Sequence, residues 1–346
     1  MITWRDLREA DLPACMEIHR ASLGDEIVGR ETALKIWKQL LRGPAFVARV
    51  IEADSPANSF TNRRRILGFG SSVFVAQEFV DRELLNPRPC INSRIIASVA
   101  SGDSVVLDYD QVARANAGRG LNAVFLSAPW WKTSSPEEFA EMMTVSGVTC
   151  AEAHAGYRLR SALVDLSGEQ TRAVMSVVSG DWRLIREFGE TGRALVMLSK
   201  KDSLTTVGSI VNVLFHFEEP VLDLHPTDQD LLLAALKGAT DDELAPRLSL
   251  SVSAVKKRWL AMFARVEELR PDLFVDLKAA SEGKRGPQKR HRVLGYVREH
   301  PEELRPYNRV AASEPRHDLP RLGLARSSAA SRRTTLKASP PSADQT

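Results

Sequence analysis

Five basic side chains, Arg247, Lys256, Lys257, Arg258 and Arg265, lie between Leu244 and Val266 with no acid among them. Such a run can hold phosphate oxygens, and lysine or arginine in the first turns of a helix can reach base edges in a major groove. The elements that would position them are legible in residues 224–266. Thr227 offers a cap to a first helix, where Leu231, Leu232, Ala235 and Leu236 recur at helical spacing and Gly238 ends the run. Thr240-Asp-Asp-Glu243 is a capping box opening a second helix through Leu244, Ala245 and Leu248. Ser251 caps a third, whose Val255, Trp259, Met262 and Val266 form one apolar stripe behind the basic face.

This pattern resembles the LuxR-type helix-turn-helix. The resemblance rests on Leu224, Gly238, Thr240, Glu243, Leu244, Ala245, Leu248, Leu250, Ser251, Val255 and Lys256 at matching intervals. It implies a bacterial, cytoplasmic transcription regulator, not an enzyme, that binds double-stranded DNA as a homodimer on a two-fold operator. The DNA-facing residues it implies are Thr240, Arg247, Ser253, Ala254, Lys256, Lys257 and Arg258. Ser253, Lys256 and Lys257 would meet base edges or nearby phosphates, and Arg247 and Arg258 would hold phosphates. Ala254 stands where the family usually has threonine and Arg258 where it has histidine.

The first 200 residues alternate strand-like and helix-like segments, the pattern of an α/β domain. Strands are expected at Ile2–Arg5, Phe46–Ile51, Ile66–Val75, Ser104–Leu107, Ala123–Leu126, Ser161–Leu166 and Ala194–Leu198. Helices are expected after Asp11, at Arg30–Leu41, at Pro136–Ala155 and near Thr171–Phe188. The opening Ile2-x-x-Arg5 followed by Asp11, the strand Ile66-Leu-Gly-Phe-Gly70 and Gly156-Tyr157 after a helix resemble a GNAT-type N-acetyltransferase over about half of the chain. That resemblance implies a mixed sheet with flanking helices and, as the alternative function, an N-acyltransferase using acyl-CoA with an auxiliary helical module. Its acyl-CoA loop would hold a pyrophosphate on backbone N–H groups at a helix start. The nearest stretch, Arg114-Ala-Asn-Ala-Gly118-Arg-Gly120, is one residue out of register, and its glycines read as turn glycines. No catalytic residue, cofactor or metal ligand is assigned, and an effector at this domain is left open. His154, beside Glu152, reads as a satisfied histidine.

The organisation follows: an α/β sensory or scaffold domain over 1–200, a linker over 201–222, the DNA-binding domain over 223–270, a basic helical extension over 271–310 with a short helix at Val293–Arg298, and a disordered tail over 311–346. The fold class is thus α/β, then all-α helix-turn-helix, then tail. With 43% hydrophobic and 26% charged residues, the chain is in the range of globular proteins. Net charge is +3 at pH 7, yet residues 281–346 carry 14 Lys/Arg against 7 Asp/Glu. Cys15, Cys90 and Cys150 lack any paired spacing and read as reduced thiols. No phosphate-binding loop of the G-x-x-x-x-G-K-[ST] type, H-E-x-x-H helix or G-x-S-x-G elbow is present, and no apolar run is of membrane-spanning length.

Overall fold

Alternating and near-continuous apolar runs build the sheet, as β-branched and aromatic residues favour a pleated, covered surface. In the computed structural model, which describes residues 2–23, 29–53, 65–103, 105–127, 135–167, 182–200, 210–275 and 285–312, seven strands form one mixed sheet. They are β1 (Ile2–Asp6), β2 (Phe46–Ala53), β3 (Arg65–Val75), β4 (Leu121–Ser127), β5 (Leu159–Ser167), β6 (Trp182–Phe188) and β7 (Arg193–Ser199). Their order is β1-β2-β3-β4-β5-β7-β6. Neighbours are antiparallel except β4 and β5, which run parallel and are joined by helix α6 (Pro136–His154). A parallel pair needs such a crossover.

One face of the sheet packs on α1 (Leu12–Leu23), α2 (Arg30–Leu41), α3 (Gln77–Leu85) and α4 (Ile91–Ala100) around Trp37, Phe69, Val73, Ile95 and Leu126. The other carries a cluster of Phe74, Val112, Leu121, Tyr157 and Phe215, with α5 (Tyr109–Ala117) and α6 contributing. The mixed sheet with helices on both faces fits the α/β, GNAT-like class expected for the N-terminal half.

The C-terminal part is helical: α7 (Pro226–Leu236), α8 (Asp241–Arg247), α9 (Val252–Leu269) and α10 (Arg285–Glu299), followed by a 3-10 turn at Pro301–Leu304. Thr240 caps α8 in a reciprocal box with Glu243, and Ser251 accepts Ala254 N at 3.2 Å to cap α9. Trp259, Met262, Phe263, Val266 and Phe274 share a core with Leu231, Leu244, Val293 and Tyr296. This part is bonded to the sheet domain: Asn116 Nδ2 donates to Pro306 O (2.9 Å), Arg305 Nε to Ala155 O (2.9 Å), and Lys237 pairs with Asp6. Residues Met1–Glu314 form one compact unit.

Four local expectations are corrected. The cap of α7 is the His225 side chain, which accepts Thr227 N at 3.4 Å, not Thr227. Residues 105–107 make a single bridge, Val75 to Val106, and no strand. Residues 182–188 are β6 and not the end of a helix, because they pair along β7 as an edge strand. The helix expected at Val293–Arg298 extends over Arg285–Glu299. Residues 168–181 and the tail from 313 onward lie outside the described residues.

Candidate functional site

Leu126 carries one of the irregularities of the sheet. Ser71 pairs with Ser127 while Ser72 pairs with Phe125, so Leu126 is an extra residue in β4, a β-bulge. A bulge bends its strand and raises its twist. The consequence is visible on the other side of β4. Its parallel ladder with β5 runs from Leu121–Leu159 to Phe125–Val164 and stops there, although Ser127 is still held by Ser71, and Asp165–Ser167 are still held by Leu195–Arg193 of β7. The C-terminal ends of β4 and β5 therefore part, and backbone groups that would complete each other's ladder face a wedge between them.

Side chains on one face of the wedge hold it open. Asn92 of α4 donates from Nδ2 to Leu126 O at 3.3 Å, taking a carbonyl freed by the bulge. Asp165 is buried in β5: its Oδ1 accepts Arg193 Nε at 2.7 Å and its Oδ2 accepts Ile91 N at 3.1 Å, at the first turn of α4. A carboxylate suits a helix N-terminus, and a buried one needs such partners. Cys90 precedes that turn with φ at +61°. The other face is apolar, with Val164, Leu166 and Val196 packed with Phe125 and Trp182.

Two buried histidines flank these layers. His154 accepts or donates at Ser72 Oγ (2.7 Å) through Nε2 and meets Cys150 O (2.8 Å) through Nδ1. A carbonyl can only accept, so the proton is on Nδ1 and Nε2 takes the Ser72 hydroxyl hydrogen. Burial pushes this imidazole down to about pKa 4, against the opposing bond to Cys150 O. Its ring lies against Phe74 and Phe125 (6.4 and 5.5 Å), a satisfied core histidine. His19 of α1 packs edge-on against Trp37 at 5.6 Å and is lowered to about 4 by burial, with the Arg193 charge adding to the effect. Burial likewise pushes the Cys15 and Cys150 thiols up to about 12, which leaves them unreactive protonated thiols at neutral pH.

The sequence-derived loop Arg114–Gly120 is elsewhere. Gly118 and Gly120 close α5 and lead into the start of β4, the end of that strand opposite the wedge. Segment 128–134, which follows β4 at the wedge, lies outside the described residues. The start of α6 beyond it is capped by Ser135 and carries Glu137 and Glu138, so its first turn does not suit a pyrophosphate. Asp165, Arg193, Asn92 and the Leu126 bulge were not singled out from sequence. A lone acid inside the apolar run Ser161–Leu166 was the available signal, since buried carboxylates are rare unless paired.

The residues implied by the helix-turn-helix resemblance lie on α8, α9 and their caps. Thr240, Arg247, Ser253, Lys256 and Lys257 are exposed, and Ala254 and Arg258 are half-buried. Part of the basic face is used within the chain. Arg258 pairs with Asp228 (3.7 Å), Arg265 donates to Asp223 O, and the Thr240 hydroxyl is engaged with Glu243.

No family model matches the chain, and no curated protein matches it. Among solved structures, it is similar to FeeM, an N-acyl amino acid synthase from uncultured soil microbes, at 12% identity and a TM-score of 0.32, over 58% of this chain and 92% of that one. The expectation of a DNA-binding, LuxR-type transcription regulator without enzymatic activity is corrected on these findings. The solved structure found similar to the chain is titled a synthase, not a regulator. Among the described residues, no helix is long and apolar enough to cross a membrane.

Proposed function

We propose that this chain is an N-acyltransferase that moves an acyl group from a thioester to a primary amine, with the helical part as an auxiliary module fixed to the α/β body. The observation that carries the reading is the parting of parallel β4 and β5 after Phe125 and Val164. An extended, amide-bearing thioester arm can enter such a wedge as a short false strand, as peptides do at sheet edges. It can pair with backbone groups left open among Leu126–Ser127 and Asp165–Ser167, other than the Leu126 and Asp165 carbonyls, which Asn92 and Arg193 hold. The apolar side formed by Phe125, Val164, Leu166 and Val196 suits an acyl chain. The GNAT-type resemblance in the sequence and the class of the FeeM protein both agree with this chemistry.

In the reaction the amine nitrogen attacks the thioester carbonyl. The C–N bond forms, the C–S bond breaks, and the thiol leaves with the proton given up by the amine. Backbone N–H groups of the open strand ends are the donors available to the carbonyl oxygen as it gains charge. Asp165, Arg193 and Asn92 are positioning residues: they fix α4, β5 and β7 around the wedge. The acidic first turn of α6 does not favour a donor whose grip depends on a pyrophosphate at that helix start, and no step is assigned to one.

Amide hydrogen exchange on the full chain tests the binding step. An acyl-pantetheine thioester is expected to protect the amides of Leu126–Ser127 and Asp165–Ser167. Protection elsewhere, with these strand ends unchanged, would place the thioester outside the wedge.

A further inference from the structure

We propose that two His-x-Glu pairs, His216/Glu218 and His300/Glu302, form a binding site for a divalent ion of the zinc type, separate from the wedge. His300 Nδ1 is 2.9 Å from Glu302 Oε1 and 3.9 Å from Glu218 Oε2, while the other Glu218 oxygen, Oε1, is 3.4 Å from His216 Nε2. Ligand atoms of Glu218, His300 and Glu302 all lie within 4.8 Å of one another, while the exposed His216 lies outside that cluster against Glu218 and completes the donor set by turning towards it. Tetrahedral zinc with bonds of about 2.0–2.1 Å sets its donor atoms roughly 3.3 Å apart, inside the observed spread.

The donors are held there by the residues between them. Phe217 lies under the Arg158 guanidinium (4.4 Å) and stacks on Tyr307 (6.4 Å), so the body of the protein anchors the first pair at its middle residue. Pro301, in the middle of the second pair, packs on Gly156, where a Cβ would come within 2.5 Å of Pro301 C and Glu302 N. The His300 ring stacks on Tyr296 at 4.3 Å, which fixes its orientation. The imidazoles favour zinc and its neighbours over calcium or magnesium, which take oxygen donors, and the two carboxylates complete a nitrogen and oxygen donor set that zinc also accepts. Among the described residues neither Glu218 nor Glu302 pairs with lysine or arginine, and Glu302 is buried, so a cation would supply the missing counter-charge. The bound ion would join the segment entering the helical part to the turn that ends α10.

The test is calorimetric titration of the full chain, stripped with a chelator, with Zn²⁺ alone. One ion per chain is expected, with millimolar Mg²⁺ failing to compete and the melting midpoint rising on binding. His216→Ala and Glu218→Gln change exposed side chains and leave the fold intact, which circular dichroism checks. Each is expected to weaken binding at least tenfold and to remove the melting shift. Absence of saturable binding, or binding retained within threefold in the His216→Ala/Glu218→Gln double variant, would overturn the proposal. Either result is independent of whether the wedge accepts a thioester.

Discussion

Asp165 and Arg193 form a buried ion pair, Oδ1 to Nε at 2.7 Å, at the level where β4 leaves β5. Because the other Asp165 oxygen holds Ile91 N, one carboxylate ties β5, β7 and α4 together. Asp165→Ala strands the Arg193 charge in the interior and is expected to cost about 3–5 kcal/mol in urea unfolding. An Asp165→Leu/Arg193→Met double variant removes both charges and should recover much of that loss. If the single variant unfolds at the wild-type midpoint, the pair does not hold this end of the sheet.

The two buried histidines set a pH dependence. His19 and His154 are lowered to about 4 in the folded chain, both chiefly by burial, whereas an unfolded histidine titrates near 6.5. Between these values the unfolded chain binds more protons. Their contribution is therefore complete above about pH 6.5 and is lost as pH falls towards 4, at up to about 1.4 kcal/mol per pH unit for each histidine. Unfolding free energies at pH 7.5, 6 and 5 would read this slope, and His154→Gln should lessen it. A flat profile from pH 7 to 5 would show that the two imidazoles are solvated.

Gly156 and Gly238 both have positive φ, +82° and +87°, but only Gly156 meets backbone at close range. Gly238→Ala is expected to cost about 1–2 kcal/mol, the left-handed penalty alone. Gly156→Ala should cost clearly more, because the turn Pro301–Leu304 must move away. Equal melting points for the two variants would contradict the close packing of that turn on the end of α6.

Trp259 is 4% exposed within the helical core and lies under the Arg290 guanidinium at 4.7 Å. Trp259→Ala should destabilise the chain by about 3–5 kcal/mol by opening a cavity. Thermal unfolding is the measurement, and an unchanged transition would mean that α9 presents a different face inward.

Much of this architecture is local in origin and so is visible in sequence. Arg30–Leu41 is a helix as its spacing requires, and the caps Thr240 and Ser251 act as their residue types suggest. Residues 182–188 misled because an edge strand with burial recurring every third residue looks helical in one dimension. The short helices α3, α4 and α5 sit among prolines and polar turns in residues 77–117, where no long period builds up. The wedge was not legible at all. It depends on the register of β3 against β4 at Leu126, a relationship between residues over 50 apart that no local pattern encodes. The basic face of α9 was legible, but the internal partners of Arg258 and Arg265, Asp228 and Asp223, were not.

Acyl transfer itself is the most direct measurement. The full chain is incubated with acyl-pantetheine thioesters of graded chain length and a panel of free amino acids and simple primary amines, with amide followed by mass spectrometry and released thiol by colorimetry. Amide and thiol in equal amounts are expected for at least one pair, with the rate lowered by Asn92→Leu, which removes the side-chain bond that positions α4 against the Leu126 bulge. A folded chain that yields neither amide nor thiol across the panel would contradict the assignment of acyl transfer to the β4–β5 wedge.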